Sequence, residues 1–296
     1  MIFVTGATGY VGRHLLERLR SLGRPVRCLV LPDDPHDPGA PRVEVVRGDL
    51  RDAAVLGTAI AGTSAIVHCA SLMLPNPPDR LHAVNVEGTR TLIQAARAAG
   101  TSRIVYLSAV SAVYAEKNSY GRSKAQAEHL LAESGLDVTI LRPTMVYGRE
   151  GGLHFAKLVR TLRAIPFVTP ILGNGNARLQ PVWVGDVVDA ILRVVDDPKC
   201  AGRTYGVSGA TVVRFEELVD LICAEAGLRR IKVHVPMSLL RLASHVVGRL
   251  PGSFLTPESL SGITQDATLD HSDFREECGF FPVTLDVGLK RALGRD

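Results

Sequence analysis

From Met1 to about Arg142 the chain alternates two kinds of segment, and this alternation restricts the possible folds more than any other feature. Ile2 to Val4, Val26 to Leu31, Val43 to Val46, Ala65 to His68, Ile104 to Leu107 and Val138 to Leu141 are short apolar runs with several β-branched residues. Strands covered by helices on both faces need that composition. Between them, Val11 to Leu22, Val86 to Ala99 and Ser123 to Ser134 carry apolar side chains at helical spacing, each followed by a stop at Gly23, Gly100 or Gly135. Strand and helix in turn imply an α/β fold with a doubly wound parallel sheet.

After Pro143 the rhythm breaks into GREGGLH, ILGNGNARLQP and a second set of helices, with short strands expected at Pro181 to Val184 and Thr204 to Val207. This half reads as a smaller C-terminal α+β lobe. A length of 296 residues accommodates both parts, and 46% hydrophobic with 22% charged residues is an ordinary globular balance. No stretch is apolar for the ~18 residues a membrane span needs, so a water-soluble protein is expected. The net charge of +4 is spread along the chain, which argues against a nucleic-acid partner. Five cysteines, Cys28, Cys69, Cys200, Cys223 and Cys278, form no C-x-x-C pair. That arrangement argues against a disulfide framework or a zinc site and suits a reducing, cytoplasmic setting. No signal peptide is visible.

The first strand runs into VTGATGYVG, where Gly6, Gly9 and Gly12 fall three apart. A tight strand-to-helix turn needs residues that accept positive φ and close backbone approach. The helix behind it offers unpaired N–H groups and a partial positive charge, suited to the pyrophosphate of a dinucleotide. Thr8, Tyr10, Val11 and Arg13 flank those glycines and share the expected cofactor contact. Further on, SYGRSKAQAE puts Tyr120 and Lys124 one helical turn apart. An ammonium beside a phenol stabilises the phenolate and is expected to pull the Tyr120 pKa down from its usual ~10. Tyr120 could then exchange a proton with a carbonyl or alcohol oxygen while hydride moves to or from a nicotinamide.

With these motifs the chain resembles the short-chain dehydrogenase/reductase superfamily, in its extended or atypical branch of epimerase/dehydratase-like proteins. Thr5, Gly6, Gly9 and Gly12 match the T-G-x-x-G-x-x-G pattern. RGDLRD places Asp49 and Leu50 where the family meets the adenine, and VHCAS places Ala70 and Ser71 over the cofactor. NVEGTRTLIQAA from Asn85 is similar to the helix that braces the site. LRPTMVYG, with Pro143 and Tyr147, is similar to the segment that reaches the nicotinamide, and QPVWVGDVVDAI is similar to a substrate-lobe strand and helix. The resemblance implies a Rossmann domain over residues 1–145 and a substrate lobe over 146–296, with segments around 181–208 returning to the sheet. It also implies that Lys124 holds the ribose hydroxyls and that a hydroxyl near the end of the fifth strand orients the substrate oxygen. Ser108 is the first candidate for that hydroxyl and Ser111 the second, since Ala109 and Val110 stand where extended members often carry it.

The cofactor is NADP or NAD. Val30 and Leu31 occupy the positions of the acid that selects NAD and the arginine that selects NADP, with Asp33 and Asp34 slightly beyond. The missing acid tips the expectation toward NADP, with Arg13 available to a phosphate. The implied activity is NAD(P)-dependent hydride transfer at a ketone or secondary alcohol, a nucleotide sugar among the candidates, as an oxidoreductase or an epimerase/dehydratase. One branch resembles the NADPH-binding accessory subunit of respiratory complex I, so the alternative is a cofactor-binding scaffold or assembly protein without turnover. The expected partners are a small-molecule substrate and, as a homodimer, a second copy.

PMSLLRLASHVVGRL, with Arg241, His245 and Arg249 opposite an apolar stripe, reads as a lobe helix that could also touch a membrane surface. TPESL, Thr256 to Leu260, reads as a capped helix start. Trp183 is expected in the core, Asp186 in the first turn of a helix, and His68 as a satisfied histidine near the cofactor. HSDFREECGF has no recognisable metal spacing, and no metal is assigned.

Overall fold

The computed structural model describes residues 1–149, 151–165, 167–247, 260 and 265–294. Its centre is a seven-stranded sheet made of β1 (Ile2–Thr5), β2 (Val26–Val30), β3 (Val43–Arg47), β4 (Ala65–His68), β5 (Arg103–Leu107), β6 (Asp137–Pro143) and β11 (Thr204–Val207). The spatial order is β3-β2-β1-β4-β5-β6-β11, and every neighbouring pair is parallel. This is the doubly wound Rossmann arrangement.

Successive residues of a strand face opposite sides, and the core divides accordingly. Val4, Val67, Val105 and Leu141 face one layer, where Leu15, Leu16 and Leu19 of α1 (Tyr10–Ser21) meet Val187, Val188, Ile191 and Val194 of α7 (Val184–Val195). Phe3, Ile66, Ile104 and Tyr106 face the other layer, against α2 (Ala53–Ile60), α4 (Gly88–Ala99) and α5 (Ser119–Ala132). Each such aliphatic or aromatic side chain contributes ~1.5–3 kcal/mol when fully buried.

Three local expectations shift. The helix expected at Val86 to Ala99 extends α3 (Pro78–His82) through a π-helical turn at Ala83–Glu87 into α4. The helix expected from Ser123 begins at Ser119, because the Asn118 side chain caps it by accepting from the Gly121 N–H at 2.9 Å. That places Tyr120 in the first turn. Of the segment expected to return to the sheet, only β11 joins it. Val182–Trp183 (β10) instead pairs with Val146–Tyr147 (β7) beside the sheet, and α7 follows at once.

A second core lies in the lobe. Phe155, Val159 and Leu162 of α6 (Leu153–Ala164) and Ile171 of β8 (Val168–Leu172) meet Leu218 and Ile222 of α8 (Phe215–Glu225) there. β8 pairs in parallel with β13 (Ile231–Val235), while β9 (Arg178–Leu179) pairs antiparallel with β12 (Val213–Arg214). The basic helix is α9 (Met237–Val247). TPESL, apart from Leu260, and the side chains of His245 and Arg249 lie outside the described residues. The chain then returns to the sheet through α10 (Ser272–Cys278) and to the lobe through α11 (Leu285–Leu293). Trp183 is half-buried and meets Tyr147 edge-on, while Asp186 is buried in the first turn of α7 and accepts the Val283 N–H at 3.0 Å.

Candidate active site

Parallel strands put all their C-terminal ends on one edge, so Thr5, His68, Leu107 and Pro143 close neighbouring strands there. The chain winds outward in opposite directions from β1, through β2 on one side and β4 on the other. A doubly wound sheet opens a ligand crevice at that switch point.

The glycine turn lines the crevice. Gly6 leaves β1 at φ +72°, and a Cβ there would lie 2.6 Å from the Ala70 nitrogen. A Cβ on Gly12 would lie 2.0 Å from the Gly6 carbonyl oxygen, which itself accepts the Gly9 N–H at 3.0 Å. Gly9 begins α1 with no side-chain cap, and no acid stands in the first turn. Backbone donors and the positive end of the helix therefore face no competing carboxylate from their own helix, an arrangement that fits a pyrophosphate. Val11 packs on the core, Arg13 is exposed, and the Tyr10 ring fills the space left by Gly151, where a Cβ would come within 2.3 Å of it.

Thr8 reaches Asp34. The hydroxyl of Thr8 and the backbone and ring of His36 hold the Asp34 carboxyl down to about 2. Arg47, at the end of β3, fixes the loop by donating to the carbonyls of Leu31 at 3.2 Å and Asp34 at 2.7 Å. An acid thus stands beside the glycine turn although none ends β2.

Beneath the crevice runs a chain of buried polar groups. The Ala70 N–H donates to Thr5 Oγ1 at 3.2 Å, and Thr5 Oγ1 lies 2.7 Å from His68 Nδ1. His68 Nε2 lies 3.0 Å from Thr89 Oγ1, which donates to the Asn85 carbonyl at 2.7 Å. Only a neutral imidazole with its proton on Nε2 satisfies every partner, an assignment made from the network. Burial, reinforced by the charge of Lys124, pulls His68 down to about 3 and keeps it neutral. Asn85 continues the chain, donating to Ser123 Oγ at 2.9 Å and accepting the Leu72 N–H at 2.7 Å. Ser71 Oγ lies 3.1 Å from Asn85 Oδ1 and hydrogen-bonds the Tyr120 hydroxyl.

Lys124, 1% exposed, does not turn toward that hydroxyl. Its Nζ donates to the Leu107 carbonyl at 2.7 Å and stands 4.1 Å above the Tyr106 ring. Burial brings Lys124 from 10.5 to about 7, opposed by the Glu128 carboxylate. Burial likewise pushes Tyr120 up to about 12, with the Ser71 bond opposing it. The lowered phenol pKa expected from the spacing is therefore not found in this arrangement. The helical turn aligns the two residues, but the ammonium is engaged at the sheet.

Ser108 Oγ donates to Glu128, whose carboxylate also takes two bonds from Arg142 at 2.9 and 2.6 Å. Ser111 is buried and its hydroxyl has no hydrogen-bond partner. It sits against the start of α5, where a Cβ on Gly121 would lie 2.5 Å from the Ser111 carbonyl oxygen. Glu128 and Arg142 are absent from the residues singled out in the sequence. Their signal was a carboxylate one turn beyond Lys124 and an arginine inside an apolar strand. Asp49 is bound to Arg51, and Leu50 is buried against Gly88. Pro143 ends β6 in register with Val207. In the lobe, Leu172, Phe215, His234, Pro236 and Met237 line a cavity of about 700 Å³.

A glycine turn at the switch point, with a tyrosine and a buried lysine across the strand ends, defines a dinucleotide-binding enzyme of the short-chain dehydrogenase/reductase class. Residues 2–207 match the NAD dependent epimerase/dehydratase family, and the chain belongs to that family. It is 34% identical over 259 residues to the ceramide reductase of Caulobacter vibrioides, covering 87% of this chain and 74% of that protein. It is 26% identical to the 3 beta-hydroxysteroid dehydrogenase/Delta 5-->4-isomerase of Mycobacterium tuberculosis, covering 95% of this chain and 86% of that one. Among solved structures, a short-chain dehydrogenase/reductase superfamily protein from Agrobacterium tumefaciens with bound NAD superposes with a TM-score of 0.74 at 26% identity, over 98% of this chain and 94% of that one. Among the described residues no helix is long and apolar enough to cross a membrane.

Proposed function

We propose that this enzyme moves hydride between NAD and the carbon of a ketone or secondary alcohol, with Tyr120 exchanging the oxygen-bound proton. The observation that carries the reading is the Tyr120 hydroxyl bonded to Ser71 at the strand ends, one helical turn from a buried lysine. Gly6, Gly9 and Gly12 hold the pyrophosphate, and Ala70 and Ser71 line the path to the reacting end. Bound there, the dinucleotide supplies the hydride acceptor or donor.

Tyr120 acts as the neutral phenol that protonates a forming alkoxide, the direction favoured by a pKa of about 12. Oxidation of an alcohol requires Lys124 to leave the Leu107 carbonyl and stabilise the phenolate. Ser111 orients the substrate oxygen, because Ser108 already gives its proton to Glu128. Asp34 favours NAD, since its carboxylate can accept the ribose hydroxyls and repels a 2′-phosphate at the same place. A substrate with an apolar body is in line with the ceramide and steroid enzymes among the relatives.

Calorimetry with NAD and NADP, followed by NADH oxidation against long-chain ketones and nucleotide sugars, tests this reading. NAD should bind tighter than NADP, with Asp34→Ser closing the gap. Tyr120→Phe should keep NAD affinity and lose ~10²–10⁴ in turnover. Binding of neither nucleotide refutes the whole reading. Tight binding without turnover on any substrate favours the scaffold.

A further inference from the structure

Two of the five cysteines meet far from the crevice. Cys200 closes the 3-10 turn Pro198–Cys200 just before β11, and Cys278 is the last residue of α10. They are 78 positions apart in sequence, yet their sulfurs are 3.2 Å apart. Cys200 is buried and Cys278 is half-buried.

The surroundings hold both backbones in place independently of the thiols. Arg193 Nη1 donates to the Cys278 carbonyl at 3.1 Å, and Arg203 pairs with Glu277. The Tyr205 hydroxyl donates to Glu277 at 2.6 Å, and the Tyr205 ring stacks on Phe274 at 4.6 Å, which stacks on Phe280 at 4.8 Å. Closure to a bonded sulfur distance of ~2.05 Å asks for about an ångström of travel, within reach of side-chain rotation.

A metal is the competing occupant, since an Asp197 oxygen lies within 4.8 Å of both sulfurs. Asp197 Oδ1 already accepts the Lys199 N–H at 3.0 Å as the cap of its turn. Zinc–sulfur bonds of ~2.3 Å at tetrahedral angles also hold two sulfurs ~3.8 Å apart, wider than the separation here.

We propose that Cys200 and Cys278 form an oxidisable dithiol that closes to an intramolecular disulfide, fastening the C-terminal segment to the edge strand β11. With a glutathione disulfide as oxidant, the Cys278 thiolate attacks one of its sulfurs and releases a first glutathione thiolate. The Cys200 thiol then loses its proton and attacks the Cys278 sulfur of the mixed disulfide, releasing the second glutathione. Two protein thiols are oxidised and one glutathione disulfide is reduced to two thiols. The fastened segment leads to α11, where Gly288 is so tightly placed that a Cβ would lie 1.7 Å from the Tyr147 hydroxyl.

The full chain is incubated with glutathione disulfide or with dithiothreitol, then denatured for thiol titration, intact mass and peptide mapping. Oxidation should remove two of the five thiols with loss of two hydrogen atoms, yield a linked Cys200–Cys278 peptide, and raise Tm by about 5 °C. Dithiothreitol should reverse all three changes, Cys278→Ala should show none, and Cys223→Ala should behave as wild type. Five titratable thiols after oxidation, a stable glutathione adduct on Cys278, or a stoichiometric zinc ion that protects both thiols would each overturn the proposal.

Discussion

Replacing Lys124 by methionine should make the protein more stable at neutral pH while impairing its cofactor site. The buried ammonium titrates at about 7 in the folded chain against 10.5 when freely solvated. Between those values the unfolded chain holds a proton that the folded chain has released, so wild-type stability rises with pH through that window. At about 1.36 kcal/mol per pH unit, the window is worth at most ~5 kcal/mol, and at pH 7 nearly all of it works against folding. The variant escapes that penalty but loses the bond to the Leu107 carbonyl, worth ~1 kcal/mol. Lys124→Met should therefore be ~3 kcal/mol more stable at pH 7, an advantage that shrinks to about zero by pH 10. Urea unfolding of both proteins at each pH from 7 to 10 measures this, because all other titrations cancel in the difference. A stability difference that does not change with pH would refute the reasoning, and would mean that Glu128 compensates the burial of Lys124 completely.

Gly12→Ala should lower stability by ~1–3 kcal/mol and abolish NAD binding by calorimetry, because the new methyl meets the Gly6 carbonyl at 2.0 Å. Gly100→Ala, at φ +71° with open space around it, should destabilise without touching NAD affinity. His68 is neutral in the folded chain down to about 3, whereas the unfolded imidazole takes its proton near 6.5. Stability should therefore fall by up to ~1.4 kcal/mol per pH unit on acidification through that range, and His68→Gln should lack this slope in urea titrations. Ser111→Ala should reduce turnover with unchanged Tm, whereas Ser108→Ala should lower Tm by leaving the Glu128–Arg142 pair short of a donor. The opposite pattern in paired activity and melting measurements returns the substrate-orienting role to Ser108.

The first half of the fold was legible because its signals are local. Leu15, Leu16 and Leu19 repeat at helical spacing, and Val4, Val67 and Val105 lie in runs that only a sheet covered on both faces can bury. The turn at Gly6 to Gly12 and the pair Tyr120 and Lys124 were legible for the same reason, each depending on neighbours along the chain. The misses depend on partners distant in sequence. Nothing around Val182 says that its partner is Val146 and not β11. Asp34 reads as a loop acid until Arg47, 13 positions on, takes its carbonyl and the side chain reaches Thr8. The direction of the Lys124 ammonium depends on the strand beneath it, which spacing within a helix does not report.

That strand-level control extends to Tyr120 itself. The hydroxyl of Thr5, at the end of β1, orders the imidazole of His68. The imidazole orders Thr89, Thr89 holds the Asn85 backbone, and the Asn85 side chain holds Ser123, whose hydroxyl donates to the Tyr120 carbonyl at 2.8 Å. Each donor in this buried series has one acceptor, so a reversed link leaves a polar atom unpaired at ~1–3 kcal/mol. The strand end that leads into the glycine turn and the helix that carries Tyr120 are thus joined through His68. A charged His68 would have two donors facing Thr5 and Thr89 and could keep only one of these bonds in its present sense. Burial keeps His68 neutral and with it the bonds to Thr5 and Thr89, so a substitution that lets its ring ionise should weaken NAD binding by calorimetry and turnover together.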